Sequence, residues 1–137
     1  MTNLIYNVKI VNTLFVVFPF TSYVKLQQAY FSESNKYGGW TLIGYTAPGN
    51  GGVTTNFTFT PSAGLAKNTT TQGAVTGAWQ AANNVKLNDC DGNGSTVHWQ
   101  VDLKAVANEK EGYEAKMVSD TDGACLALTP TFTNIGQ

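Results

Sequence analysis

Alternation of apolar and polar residues is the clearest pattern along this chain. In residues 96–105 the apolar members of the pattern are Val97, Trp99, Val101, Leu103 and Ala105. Residues 53–60 repeat it: the inward side is Val53, Thr55, Phe57 and Phe59, and the outward side is Thr54, Asn56, Thr58 and Thr60. Because successive side chains of a strand point to opposite faces of a sheet, each segment predicts a strand with one buried face.

Seven other segments have a strand-forming composition and are separated by loops rich in Gly, Pro, Asn and Asp. They are residues 4–12, 14–20, 23–32, 40–46, 74–81, 113–119 and 125–132. Strands at short spacing, broken by turn residues, predict an all-β fold, namely a single-domain antiparallel β-sandwich of about nine strands. Only residues 105–111 favour a short helical turn, which would end before Gly112.

Length and composition fit one folded domain that spans residues 1–137. The 137-residue chain is 42% hydrophobic and 12% aromatic, which provides enough apolar surface for one core. Only 12% of the residues are charged, which is about half the usual share, and Thr, Asn, Gly and Ser are abundant. The expected surface is therefore neutral and rich in hydroxyl groups.

Charge and hydropathy argue against two classes of protein. All eight basic residues are Lys and the net charge is −1, so a nucleic-acid partner lacks both Arg and a basic surplus. No apolar run approaches the roughly 20 residues that cross a bilayer, so we expect no transmembrane segment. Residues 13–20 are apolar, but Lys9, Pro19 and the lack of a cleavage site argue against a signal peptide. We expect a protein that is cytoplasmic or exported without a leader.

Asp89, Asp91 and Asn93 precede Gly94 at alternate positions, as in the first half of a calcium loop. The twelfth position, where a Glu closes the calcium shell, is Gln100. A plain hairpin turn is the favoured interpretation, and a calcium site formed by these three residues is the alternative. No other cofactor is expected, because the chain has too few Cys and His residues for a zinc site.

The two cysteines and the single histidine leave several chemistries open. Cys90 and Cys125 form one disulfide or remain two buried thiols. If they pair, Asp120 and Asp122 come close to the first acidic loop and a joint calcium site gains support. His98 is the one candidate base for a hydrolase, but no carboxylate at a suitable spacing orients it.

The aromatic residues near glycine-rich loops are the strongest indication of function. Trp40, Tyr37 and Tyr45 are predicted to present their rings to a ligand, with Asn50 as a polar partner. These residues predict a non-enzymatic recognition protein that binds a carbohydrate or a membrane-lipid headgroup. The alternatives are a self-assembling structural protein that forms a homo-oligomer through the apolar run 14–18, and a small hydrolase.

Residues 91–99, from Asp91-Gly92-Asn93 to Val97-His98-Trp99, resemble a hairpin and the following strand in the aegerolysins, which are small fungal and bacterial β-sandwich proteins. The predicted strand 4–12 and the segment 123–126 occur in similar order. The resemblance implies binding to particular membrane lipids and recruitment of a larger, pore-forming partner. The Cys, Pro and Trp that the family has soon after Trp99 are replaced by residues 100–103, so no lipid-contact residue is carried over.

Overall fold

The computed structural model describes residues 16–135, which form a β-rich fold with two antiparallel sheets. The helices are α1 (Phe18–Ser34) and a single turn, α2 (Trp40–Ile43). The strands are β1 (Tyr37–Gly38), β2 (Phe57–Pro61), β3 (Thr70–Thr71), β4 (Val75–Asn83), β5 (Trp99–Leu103) and β6 (Tyr113–Met117). Two 3₁₀ turns follow at Leu126–Leu128 and Phe132–Asn134.

The main sheet has four antiparallel strands in the order β2-β4-β5-β6, and β1 pairs with β3 in a separate two-stranded sheet. The alternation predicted for residues 96–105 is confirmed on β5, where Trp99, Val101 and Leu103 are almost fully buried. Phe57 and Phe59 on β2 belong to the same core, as predicted. The period-two pattern therefore located the inner face of this sheet correctly. The prediction is wrong beyond the ends of these strands, where the inward positions are exposed, namely Ala105, Val53 and Thr55.

Helix α1, rather than further strands, supplies side chains to the core beside this inner face. Phe20 meets Trp79 of β4 edge to face with ring centroids 5.5 Å apart, and Tyr23 meets Tyr45 in the same way at 5.5 Å. Phe132 of the last 3₁₀ turn packs on Phe20 with centroids 4.7 Å apart. Aromatic side chains from α1, the sheet and the C-terminal segment thus share one core.

The predicted strand 23–32 is wrong, because these residues lie within α1. Buried residues recur at Phe20, Tyr23, Val24, Gln27 and Phe31, which is the spacing of one helix face and not of a strand. Residues 16–20 of the predicted strand 14–20 are also helical.

The ends of α1 carry residues suited to them. Pro19 stands in the first turn, where its missing N–H costs no helical hydrogen bond, and Asn35 ends the helix with a φ of 58°. Proline in the predicted strand 14–20 was therefore a signal for the start of a helix. The predicted strand 4–12 lies outside the described residues.

Three other sequence predictions are corrected by the structure. Residues 40–46 contain the turn α2, which ends at Gly44 with a φ of 78°, and residues 125–132 contain 3₁₀ turns instead of a strand. Residues 107–110 form a tight hairpin turn and not a helix, with positive φ at Asn108 and Glu109. The described residues contain six strands, so the nine-strand sandwich is not confirmed.

The outer face of the main sheet is held together by polar side chains. Gln80 Nε2 donates to Gln100 Oε1 over 3.1 Å, and Gln100 Nε2 donates to Asp102 Oδ1 over 2.8 Å. Lys116 Nζ lies 2.7 Å from Asp102 Oδ2, and the backbone N–H of Gly77 also donates to Asp102. One face of this sheet is therefore apolar and the other polar, which is typical of an antiparallel sheet with one solvated side.

Asp102 should make stability depend on pH. Burial raises the pKa of its carboxyl, but hydrogen bonds from Lys116, Gly77 and Gln100 outweigh burial, so the net pKa is lowered. A lowered folded-state pKa contributes stability above the unfolded value of about 3.9, and this contribution is lost as the pH falls through the folded value.

We therefore expect Asp102→Asn to reduce the free energy of unfolding by about 1–2 kcal/mol at neutral pH. The variant should also lose less stability than the wild type as the pH falls below the unfolded-state value of about 3.9. Urea unfolding at a series of pH values measures both effects. Glu33→Gln, on the exposed surface of α1, is the matched control, and an Asp102→Asn profile that matches the control would contradict the assignment.

Candidate functional site

A cavity of about 360 Å³ lies where α2, the glycine-rich loop 49–52 and β2 meet. Its aromatic lining comes from Trp40, Tyr45 and Phe59, and its polar lining includes Thr46 and Lys67. No Asp, Glu or His side chain is part of this lining. The cavity therefore combines apolar surface, several hydroxyl groups and one amine, a mixture that suits binding of a polar ligand better than acid–base chemistry.

Glycine in loop 49–52 is required by the shape of this cavity. Gly49 has a φ of 83°, and a β-carbon there would lie only 2.1 Å from the carbonyl oxygen of Val53. Asn50 and Val53 exchange backbone hydrogen bonds of 3.1 and 3.2 Å across the same turn. A side chain at position 49 would thus push the turn apart and alter the rim of the cavity.

The structure brings together only part of the predicted ligand-binding set. Trp40 and Tyr45 line the cavity, and Asn50 is an exposed residue of the loop beside it. Tyr37 is not part of the lining. It is fully buried, and its hydroxyl donates to the carbonyl oxygen of Lys104 over 2.7 Å and accepts from the N–H of Gly112 over 2.8 Å.

The prediction that these rings are displayed for stacking is wrong, because all three belong to the core. Trp40 is only 7% exposed and its Nε1–H donates to the carbonyl oxygen of Ala78 over 3.0 Å. Tyr45 is 6% exposed and accepts a hydrogen bond from Trp79 Nε1. Burial raises the pKa of Tyr45 to about 12, against a smaller opposite effect of this bond, so its hydroxyl stays protonated at neutral pH.

The predicted calcium ligands Asp89, Asp91 and Asn93 are all exposed to solvent. Asp89 is exposed, and the Asp91 carboxylate is 90% exposed and 3.8 Å from Lys86 Nζ. Asn93 Oδ1 accepts hydrogen bonds from the backbone N–H groups of Ser95 and Thr96, each 2.8 Å long. Such side-chain bonds to the nearby backbone are typical of a turn, which supports the hairpin interpretation over the calcium site.

The second acidic loop also uses its carboxylates locally. Asp120 accepts hydrogen bonds from the N–H groups of Cys125 and Leu126, each 2.9 Å long. Asp122 accepts one from Ala124. These bonds fix the backbone before the first 3₁₀ turn, and they occupy oxygens that a joint calcium site would need.

Cys90 and Cys125 form a disulfide, which resolves the alternatives that the sequence left open. Their α-carbons are 4.8 Å apart and the bond joins positions 35 residues apart. It connects the loop before β5 to the C-terminal 3₁₀ turns. His98 lies beside it, and Cys90, Cys125 and His98 are the only cluster of potential metal-binding residues among the described residues 16–135.

His98 is buried, at 5% exposed, although the strand pattern predicts a position facing solvent or a groove. Its Nδ1 lies 3.3 Å from the carbonyl oxygen of Val118 and its Nε2 lies 3.1 Å from that of Asp91. Both ring nitrogens therefore face the backbone. Among residues 16–135, the ring forms its hydrogen-bond contacts with these two backbone oxygens and not with a carboxylate.

Sequence reasoning missed two features of these sites. Lys67 is separated from the other cavity residues by a loop, and its backbone carbonyl accepts bonds from Thr41 and Leu42 that bring it to α2. The second feature is the cluster of Cys90, Cys125 and His98. The only signal for it in the sequence is that the chain contains just two Cys and one His. Their spacing gave no indication that they meet.

Comparison of the chain with protein-family models, with curated proteins and with solved structures returned no match. Among residues 16–135, no helix combines the length and the apolar character that crossing a bilayer requires.

Trp40 should be needed for the fold. We expect Trp40→Ala to lower the free energy of unfolding by about 3–5 kcal/mol, because it removes a buried ring and leaves the carbonyl of Ala78 without its donor. Chemical denaturation measures the change. Thr46→Ala, an exposed position in the same lining, is the control and should change stability by less than about 0.5 kcal/mol. Equal stability of Trp40→Ala and the wild type would contradict the buried position of the ring.

Proposed function

We propose that the protein is a non-enzymatic structural subunit that associates with copies of itself through the apolar N-terminal end of α1. The observation that carries the proposal is Phe18, which is 68% exposed at the first position of a helix whose other aromatic residues pack inward. Leu42, Val53 and Val85 are the other large apolar residues exposed in the described part of the chain, and each is less exposed than Phe18.

The sequence that leads into Phe18 supports an apolar association surface. Residues 1–17 contain a single charged residue, Lys9, and residues 14–18 are Leu, Phe, Val, Val and Phe. Apolar surface of this kind gains free energy by leaving water, at roughly 25 cal/mol per Å². The exposed ring of Phe18 thus follows an apolar segment in the sequence, of which Val16 is buried in the core and Val17 is partly buried.

The composition favours a second copy of the chain as the binding partner of this apolar end. The net charge is −1 and charged residues are 12% of the chain, so copies repel one another only weakly. A basic surplus, which would attract an anionic membrane surface, is absent from the sequence. The disulfide and the aromatic core give the domain behind this end a fixed shape, as a building unit requires.

Phe18→Ser should weaken self-association while leaving the domain folded, because the ring lies mostly in water. We expect sedimentation velocity over a dilution series to show oligomers for the wild type and a shift towards monomers for the variant. Val85→Ser is the matched control, since Val85 is 44% exposed and remote in sequence from α1, and it should behave as the wild type does.

A wild-type chain that is monomeric at every concentration would contradict the proposal. Binding to neutral lipid vesicles that Phe18→Ser abolishes, without self-association in their absence, would assign the apolar end to a membrane instead. Equal oligomer populations in Phe18→Ser and the wild type would place the contact elsewhere.

A second function, recognition of a hydroxyl-rich carbohydrate, is supported by the cavity described above. Apolar ring surface from Trp40 lies in the same lining as the Thr46 hydroxyl and the Lys67 amine, which are groups that contact sugars. The carbohydrate would be a free sugar or the headgroup of a lipid. The aromatic rings would line one side of the cavity and would not provide a freely exposed surface for stacking.

Lys67→Ala should lower affinity for such a carbohydrate by about tenfold, because a hydrogen bond from a charged amine contributes about 1.5–3 kcal/mol. A glycan array followed by calorimetry with the best binder measures the change, and vesicles with and without the same headgroup distinguish the two sources. Lys86→Ala, outside the cavity lining, is the control. No binding on the array, or equal affinity of Lys67→Ala and the wild type, would contradict this function.

A further inference from the structure

The Cys90–Cys125 disulfide and His98 form a compact cluster that the proposed functions do not use. One potential ligand atom from each residue lies within 4.8 Å of the other two. All three residues are buried, with exposures of 1%, 3% and 5%. We infer that reduction of this disulfide creates a binding site for a zinc-class divalent cation, with Cys90, Cys125 and His98 as its three protein ligands.

The distances require only small movements after reduction. In a tetrahedral zinc site with Zn–S of about 2.3 Å and Zn–N of about 2.0 Å, two sulfurs lie roughly 3.8 Å apart and sulfur and nitrogen roughly 3.6 Å apart. Breaking the S–S bond allows the two sulfurs to separate to this sulfur–sulfur distance. The imidazole nitrogen would approach by roughly 1.2 Å at most from its present limit of 4.8 Å.

The backbone contacts of His98 fix the orientation of its ring beside the disulfide. Both ring nitrogens face carbonyl oxygens, those of Val118 and Asp91. When one ring nitrogen of a histidine coordinates a cation through its lone pair, the other nitrogen keeps its N–H. The remaining N–H then donates to a backbone carbonyl, which is the usual way that a zinc-binding histidine is oriented.

The backbone around the ligands is anchored without the disulfide. Cys90 exchanges two hydrogen bonds with Leu87, and its carbonyl accepts one from Asn83 Nδ2. Cys125 is held by Asp120, as described above. The backbone N–H of His98 donates a hydrogen bond to the carbonyl oxygen of Ala81, and the carbonyl oxygen of His98 accepts one from the N–H of Val118. Breaking the S–S bond therefore leaves three ligands near their present positions.

A cavity of about 310 Å³ borders the cluster at His98. Its lining includes His98, Asp91, Asn93 and Thr96. A site with three protein ligands needs a fourth group, and water entering through this cavity supplies it.

Electrons and protons balance when a dithiol is the reductant. The S–S bond breaks, each cysteine sulfur gains one electron and one proton from the dithiol, and the dithiol leaves as a disulfide. The cation then displaces the two thiol protons and binds two thiolates and a neutral imidazole. Two thiolates cancel the charge of a divalent cation, so the loaded site is neutral in its buried position.

The experiment uses the full chain with a phosphine reductant, which becomes a phosphine oxide as water supplies its oxygen and the two protons. Oxidised and reduced protein are titrated with Zn²⁺ against a competing chelator, and with Co²⁺ as a spectroscopic substitute. We expect one equivalent to bind to the reduced protein alone, with thiolate-to-cobalt charge-transfer absorption. His98→Gln should weaken binding at least about tenfold, and Cys90→Ser with Cys125→Ser should abolish it.

Asp89→Asn is the matched control, because it removes an exposed carboxylate next to Cys90 that is not part of the cluster, and it should bind as the wild type does. Equal affinity of the oxidised and reduced proteins, or of His98→Gln and the wild type, would overturn the inference. If reduction unfolds the chain, circular dichroism should show that Zn²⁺ restores the fold. Failure of Zn²⁺ to do so would also overturn it.

Discussion

Packing of aromatic rings around Trp79 is the interaction on which the rest of this structure depends. Trp79 is fully buried at the centre of β4, and its ring meets Phe20, Phe59 and Phe132 with centroids 5.5, 5.7 and 6.4 Å apart. These partners come from α1, β2 and the last 3₁₀ turn. One indole thus joins the helix, the main sheet and the C-terminal segment, and its N–H is satisfied by Tyr45 Oη.

The same packing decides what the candidate site can do. Trp40 reaches the core through a hydrogen bond to Ala78, a residue in the irregular part of β4 where the register with β5 shifts. That shift leaves the Ala78 carbonyl available to a side chain instead of a neighbouring strand. Rings that are packed in the core in this way can line one side of a cavity, but they cannot rotate out of the core to stack on a ligand. Polar groups at the rim, among them Lys67, therefore carry any specificity.

The sequence predicted the main sheet because period-two alternation is a local signal. Trp99, Val101 and Leu103 alternate with polar residues whose side chains pair on the outer face, so the pattern and the structure agree. The sequence prediction failed for α1 because Tyr, Val and Phe raise strand propensity. The spacing of Tyr23, Gln27 and Phe31 is nevertheless that of one face of a helix. Burial of this face against the sheet overrides the local preference.

The candidate sites were harder to predict because they depend on long-range contacts. Tyr37 lies near glycines in the sequence, as a loop residue would. Its hydroxyl nevertheless forms hydrogen bonds with Lys104 and Gly112, which follow it in the chain by 67 and 75 positions. The disulfide and the hydrogen bond from Cys125 to the Asp120 carboxylate hold the C-terminal segment beside β5. Only this arrangement brings Cys125 close to Cys90 and His98. Composition identified the participants, and only the tertiary structure identified their neighbours.

Hydrogen exchange at the three indole N–H groups tests the aromatic core most directly. Trp40, Trp79 and Trp99 donate to Ala78, Tyr45 and Thr129 respectively, and all three rings are buried. Nuclear magnetic resonance of the native protein should show that all three indole protons exchange only through global unfolding, with the free energy that chemical denaturation gives. Exchange of the Trp79 indole proton at the rate of free indole would contradict the account.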